Sequence, residues 1–186
     1  MEKKRERYFD QFEKVSVPAD NKRGYRTELR YTGDLYAWEK TEAELKKEKA
    51  LWAAAEALSI IVFLAAATRK TDFNVLPLPQ SFVIISIIPF MAEVWGAVHF
   101  ILAKSPLIHP DFREIRTTVR VGATAHAILL TAGVLTGLVL LIVRGTMSGT
   151  GALVLIGLAL SAAISVLILM RFSKLTWRVI PGEKRS

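Results

Sequence analysis

A chain of 186 residues with 52% apolar side chains and a formal charge of +8 is long enough for one domain of ordinary size. It contains no cysteine, which excludes disulfides, thiolate catalysis, iron–sulfur clusters and cysteine zinc sites. Charge and hydrophobe are segregated: the first 49 residues carry 13 of the 25 Lys and Arg and 11 of the 17 Asp and Glu, and long apolar runs dominate the rest. A soluble core does not sort its residues in this way. The expected class is an all-α membrane protein, a four-helix transmembrane bundle with a charged, partly ordered N-terminal cytoplasmic segment. Most basic residues flank apolar runs, so the positive charge points to anionic lipid headgroups and not to nucleic acid. No secretory signal is expected, because the first apolar run begins only near Ala50 and no small-residue cleavage site follows it.

Residues 1–40 form the N-terminal segment. Its first part is mostly charged, with a helical turn or two expected around Tyr8, Phe9 and Phe12. Tyr25, Thr27, Leu29 and Tyr31 then alternate with polar residues, Thr32-Gly33-Asp34 is a turn signal, and Leu35–Trp38 follows, which reads as a short β-hairpin or an extended aromatic strip. Two roles compete for Tyr25, Tyr31, Tyr36 and Trp38: an interfacial belt or small satellite core, or a docking surface for a protein partner. Thr41 and Glu44 have capping-box spacing, so the first helix should begin near Glu42 and run unbroken into the first apolar run.

A bilayer-crossing helix needs about 20 mainly apolar residues. Stretches 50–68, 81–103, 121–143 and 151–170 qualify, within a bundle domain of residues 41–174 that leaves 175–186 as a basic tail. The first is the weakest, being rich in alanine and carrying Glu56, and an interfacial placement would leave three spans. Lys and Arg near the span ends number thirteen on the side of both termini and the middle loop, against Arg69, Lys70 and Arg144 opposite. That bias predicts a multi-pass protein of the cell (plasma) membrane with both termini cytoplasmic. In the middle loop, Pro110 suits a first helical position, with Asp111 and Glu114 in a first turn. Arg113, Arg116, Thr117 and Arg120 then share one face, a stripe for phosphate headgroups or for an acidic partner or ligand.

Span three contains the pair Gly133 and Gly137, and span four has Gly157, Ser161 and Ser165 at four-residue spacing. Small residues so spaced let helices approach closely in lipid. A short connection makes these spans an antiparallel hairpin, so the two small ridges are expected to pack on each other, with homodimerisation through Gly133 and Gly137 as the alternative. Pro89 should interrupt the second helix.

Glu56, Glu93, His99 and His126 lie inside the apolar runs, where ionisable groups are costly and are functional candidates by default. At about 1.5 Å of rise per residue, all four fall in the cytoplasmic half, with Glu93 deepest, about 16 Å above Lys104. His99 is six residues from Glu93, about 120° around the helix, so the two cannot both face one partner. The four form either a polar cluster that orients the helices or a proton, ion or ligand site. Each also has a plain reading: Glu56 reaching toward headgroups, His99 at the interface, His126 neutral and bonded to a neighbouring helix.

The sequence has no HExxH, GxSxG or P-loop lysine pattern, so no enzyme class is indicated. No pair among these residues has the i, i+3 or i, i+4 spacing of helical metal motifs, and bis-histidine haem ligation by His99 and His126 lacks a supporting pattern. No metal and no cofactor is expected. Four spans with an embedded glutamate make the architecture similar to that of small multidrug-resistance exporters. The glutamates of this chain lie in different surroundings, however, and no residue is carried over. Tyr31-Thr32-Gly33-Asp34-Leu35-Tyr36-Ala37-Trp38, followed by a basic helix entering the membrane, resembles a feature of small uncharacterised bacterial four-span membrane proteins. The resemblance covers about a tenth of the chain and implies a bacterial plasma membrane but no activity. Two functions are therefore expected: a non-enzymatic accessory or scaffolding protein that docks a protein partner or another copy of itself, or a small proton- or ion-coupled transporter or channel subunit.

Overall fold

A computed structural model describes residues 11–18 and 24–182. The chain runs β1 (Phe12–Pro18), β2 (Tyr25–Tyr31), β3 (Leu35–Trp38), α1 (Glu42–Ala67), α2 (Pro77–Leu102), β4 (Leu107–Ile108), α3 (His109–Arg144), α4 (Gly149–Ser173) and β5 (Trp177–Ile180). It divides into two compact units. One holds residues 40–103 and 113–176; the other holds the N-terminal segment, residues 104–112 and the chain from Trp177 onward.

The larger unit is a four-helix bundle. Thr41 caps α1: its hydroxyl accepts from Glu44 N at 3.3 Å while the Glu44 carboxylate accepts from Thr41 N at 3.0 Å, closing the expected capping box. At the far end of α1, the Asn74 amide donates to the carbonyls of Ala66 and Arg69, groups the helix leaves unsatisfied. Pro77 opens α2, where its missing N–H costs nothing. The turn from α3 to α4 is a Schellman motif: Gly145 sits at φ +63, Gly145 N bonds Ile142 O, and Thr146 N bonds Leu141 O, both at 3.1 Å. Ser148 then caps α4 by accepting from Gly151 N at 3.0 Å. All four helices are long and apolar enough to cross a membrane.

Each helix buries one narrow stripe. On α1 the stripe is Trp52, Glu56, Ser59, Phe63 and Ala66, a seam at three- and four-residue spacing. The opposite faces are apolar as well. Ile61 (64% exposed), Ile88 (76%), Val143 (77%) and Leu153 (63%) all point outward. Such large outward apolar faces are foreign to water-soluble monomers. The interior is layered. Trp52, Phe100 and Phe172 meet edge to face or tilted at one level, with Trp52 4.7 Å from Phe100 and 5.7 Å from Phe172. A polar layer follows, and beyond it lies the apolar cluster of Phe63, Phe90, Leu130 and Leu158.

The small-residue ridges do not pack on each other. A Cβ placed on Gly133 would meet Phe82, Pro79 O and Val83 of α2, and one on Gly137 would run into the ring of Phe73. A Cβ on Gly157 would meet Ala66 and Val62 O of α1. The short α3–α4 turn makes the two helices consecutive without making their glycine faces meet, because each ridge accepts a helix or loop from the other half of the bundle.

The smaller unit contains two sheets. Strand β1 pairs antiparallel with β2, from Phe12 opposite Tyr31 to Pro18 opposite Tyr25. The expected hairpin between 25–31 and 35–38 is thus corrected in its pairing. Phe12 is in a strand and not in a helical turn, while Tyr8 and Phe9 lie outside the described residues. Strand β3 is the centre of a three-stranded sheet with order β4-β3-β5, pairing Leu35 with Ile108 and Ile180 and Trp38 with Trp177. The segment expected to be only a basic tail therefore supplies a strand.

Candidate functional site

The polar layer of the bundle draws on every helix. Glu93 on α2 is fully buried, and Ser165 on α4 donates a hydrogen bond to its Oε2 at 2.9 Å. His126 on α3, also fully buried, places Nδ1 3.7 Å from the same oxygen, an ion-pair distance too long for a hydrogen bond. Its Nε2 faces the Ser161 hydroxyl at 3.5 Å, and that hydroxyl is 2.9 Å from the hydroxyl of Ser59 on α1. Glu56 is 5% exposed and lies one turn before Ser59 in the buried stripe of α1. Phe90 and Phe63 close the layer on one side, their ring centroids 4.3 and 5.6 Å from the imidazole.

Local sequence explains the close approach. Gly122 lies one turn before His126, and Gly96 lies one turn after Glu93. A Cβ on Gly122 would stand 2.5 Å from Glu93 N, and one on Gly96 would stand 2.5 Å from the Thr118 hydroxyl. Two glycines thus let α2 and α3 touch backbone to backbone at the level of the site, as small residues do in membrane bundles.

The layer is not closed electrostatically. Both carboxylate oxygens of Glu56, Oε1 of Glu93 and Nδ1 of His126 are buried without a hydrogen-bond partner among the described residues. An isolated buried carboxylate is costly enough that such a group normally takes up a proton or acquires a counter-charge. The arrangement can hold a proton on Glu93 or His126, with the three serine hydroxyls as rotatable donors or acceptors. Among the described residues, no three His, Asp or Glu side chains converge as a metal-ligand set.

His99 belongs elsewhere. It is about one third exposed, with Nδ1 3.6 Å from Glu114 Oε1, and its ring lies 4.4 Å from that of Trp95, whose indole N–H donates to the same carboxylate at 3.0 Å. The six-residue offset from Glu93 turns it out of the polar layer. Arg113 is exposed, and Arg116 and Arg120 are half-buried on the same helix. In the smaller unit, Tyr36 stacks on Phe112 at 4.4 Å and bonds His109 Nδ1 at 3.0 Å through its hydroxyl. Trp38, 7% exposed, packs against Phe112 and Trp177. Tyr31 packs on Phe12 at 5.2 Å and donates to Asp34 O at 3.2 Å. These aromatics form a satellite core, so Tyr36 and Trp38 are not displayed as a docking strip.

Sequence reading missed Ser59, Gly96 and Gly122. The signal for each was its spacing of three or four residues from an embedded ionisable group, Ser59 from Glu56, Gly96 from Glu93 and Gly122 from His126. No protein-family model, no curated protein and no solved structure matches this chain. The class that the fold defines is a bundle of four membrane-length apolar helices with an ionisable layer at its core.

Proposed function

We propose that the chain is a multi-pass protein of the cell membrane, with both ends cytoplasmic, and that it serves as a small proton- or ion-coupled transport subunit whose protonatable centre is Glu93. The membrane placement is supported by the four long apolar helices and their outward apolar faces. Strand pairing supports the count of crossings. Two helices separate β3 from β4 and two more separate β4 from β5, yet all three strands share one sheet, which requires an even number of crossings between each pair. An interfacial α1 would leave β3 and β4 on opposite sides. The Lys and Arg bias of the sequence then favours the cytoplasm for that side.

The observation that carries the transport reading is the unfilled acceptor capacity of the polar layer, with buried Glu93 Oε1 and both Glu56 oxygens lacking partners among the described residues. A polar cluster that only locked the helices in register would be expected to satisfy its own groups. In liposomes with a trapped pH indicator, the purified protein should move protons, either alone or with a coupled solute, and Glu93→Gln should abolish the flux. Equal flux in Glu93→Gln and wild type would remove Glu93 from this role.

A second reading, an accessory protein that docks a partner, is favoured by the β1–β2 ribbon. A two-stranded ribbon is marginal by itself, and this one leaves Leu29 65% exposed. Removing residues 1–31 keeps β3 and should release a partner that co-purifies from native membranes; recovery of the same proteins with and without the ribbon would end this reading.

A further inference from the structure

At the end of the bundle where α1 turns into α2, a polar hollow of about 720 Å³ is lined by Arg69, Lys70, Asp72, Asn74, Ser148 and Thr150 among others. Beside it, an apolar groove of about 230 Å³ follows the seam between α1 and α4, walled by Val62, Ala65, Leu153 and Gly157. Arg69 lines both. At Gly157 the two helices are in close contact, a Cβ there standing 3.1 Å from Ala66 Cβ, and the groove runs along this seam. From Val62 to Arg69 it follows about 10 Å of helix, at 1.5 Å per residue. Arg69 and Lys70 are both exposed, and neither forms an ion pair with Asp72.

A cationic hollow continuous with an apolar groove fits a molecule that is anionic at one end and apolar at the other. A free inorganic anion would leave the groove unfilled, and a purely apolar molecule would leave Arg69 without a counter-charge. We propose that Arg69 seats the phosphate of a membrane phospholipid, with Lys70 beside it, and that one acyl chain of that lipid lies in the α1–α4 groove. The guanidinium fork matches two phosphate oxygens in a way the lysine ammonium cannot. Asp72 on the same hollow would oppose a headgroup that carries more than one negative charge. The proposal rests on the membrane placement above and is independent of the role given to Glu93.

The test uses the full chain in detergent, titrated with dioleoyl phosphatidylglycerol, whose head carries a single negative charge, and followed by native mass spectrometry. Wild type should retain one lipid per chain. Arg69→Ala should weaken retention about tenfold, and Ala65→Leu, which fills the groove from an exposed position, should weaken it similarly while leaving the melting temperature of the lipid-free protein unchanged. Glu93→Gln should retain the lipid like wild type, which separates this site from the transport reading. Dioleoylglycerol, which lacks the phosphate, should bind at least tenfold more weakly, and inorganic phosphate should not displace the phospholipid. Wild-type retention in both Arg69→Ala and Ala65→Leu would overturn the site, as would equal binding of dioleoylglycerol. Displacement by inorganic phosphate would reduce it to a free anion site. Flotation of the same preparation with vesicles reports the membrane placement separately.

Discussion

Gly122 is where the geometry of the polar layer is most sharply exposed to a single change. Replacing it with alanine places a Cβ 2.5 Å from Glu93 N, 2.8 Å from Glu93 Cα and 2.9 Å from Pro89 O, where ordinary contact begins at 3.4 Å. All three obstacles are backbone atoms, so no side chain can rotate away. Helices α2 and α3 must separate locally by about 1 Å, in an interior packed too tightly to absorb the shift. The Glu93–His126 separation, already 3.7 Å, then grows beyond ion-pair range. Overpacking of this kind costs roughly 1–3 kcal/mol. At roughly 2–4 °C per kcal/mol for a chain of this size, the melting temperature should fall by about 6 °C. Gly149 supplies the control, since a Cβ there meets nothing within 4 Å. Thermal melts in one detergent, read by intrinsic fluorescence, should rank wild type and Gly149→Ala together and Gly122→Ala well below. If Gly122→Ala melts with wild type, the close approach of α2 and α3 at Glu93 is not what holds the site.

Two further outcomes follow from individual contacts. Ser165→Ala removes the one hydrogen-bond donor to Glu93 among the described residues; leaving that buried oxygen bare should cost roughly 1–3 kcal/mol, whereas Ser173→Ala, which loses a surface bond to Met170 O, should melt like wild type. Tyr36→Phe keeps the stack on Phe112 but removes the hydroxyl from His109, so amide exchange across Leu35–Trp38 should speed by about fivefold, the equivalent of ~1 kcal/mol; unchanged exchange would show that the hydroxyl bond adds nothing to the sheet.

The four helices were legible in sequence because membrane-length apolar runs need no tertiary context to be recognised. The start of α1 was legible because a capping box is closed by residues three apart. Strand pairing was a different problem. Residues 25–31 and 35–38 carried strand patterns, but the partners of β3 are a two-residue strand after α2 and a four-residue strand after α4, and neither is long enough to show periodicity. The β1 partner of β2 sat in a charged segment where Val15 and Val17 were the only alternating signal. Within the site, Glu93 and His126 stood out because charge in an apolar run is rare. Their proximity could not be read, since it depends on glycines at 96 and 122, and glycine is common in such helices. His99 was grouped with them by residue type, and only its angle around α2 pointed elsewhere.

The three-stranded sheet also sets an order of events in the making of the protein. Its middle strand, Leu35–Trp38, is synthesised before the four bundle helices, yet one neighbour is Leu107–Ile108 and the other is Trp177–Ile180. Contacts between residues so distant along the chain close late and slowly. The middle strand must wait, with both edges unpaired, until two helices are in place for the first neighbour and all four for the second. Completion of this sheet thus requires that the chain through all four helices has been synthesised, and a chain arrested before α4 would carry an open strand edge, the feature by which unfinished proteins are prone to aggregate.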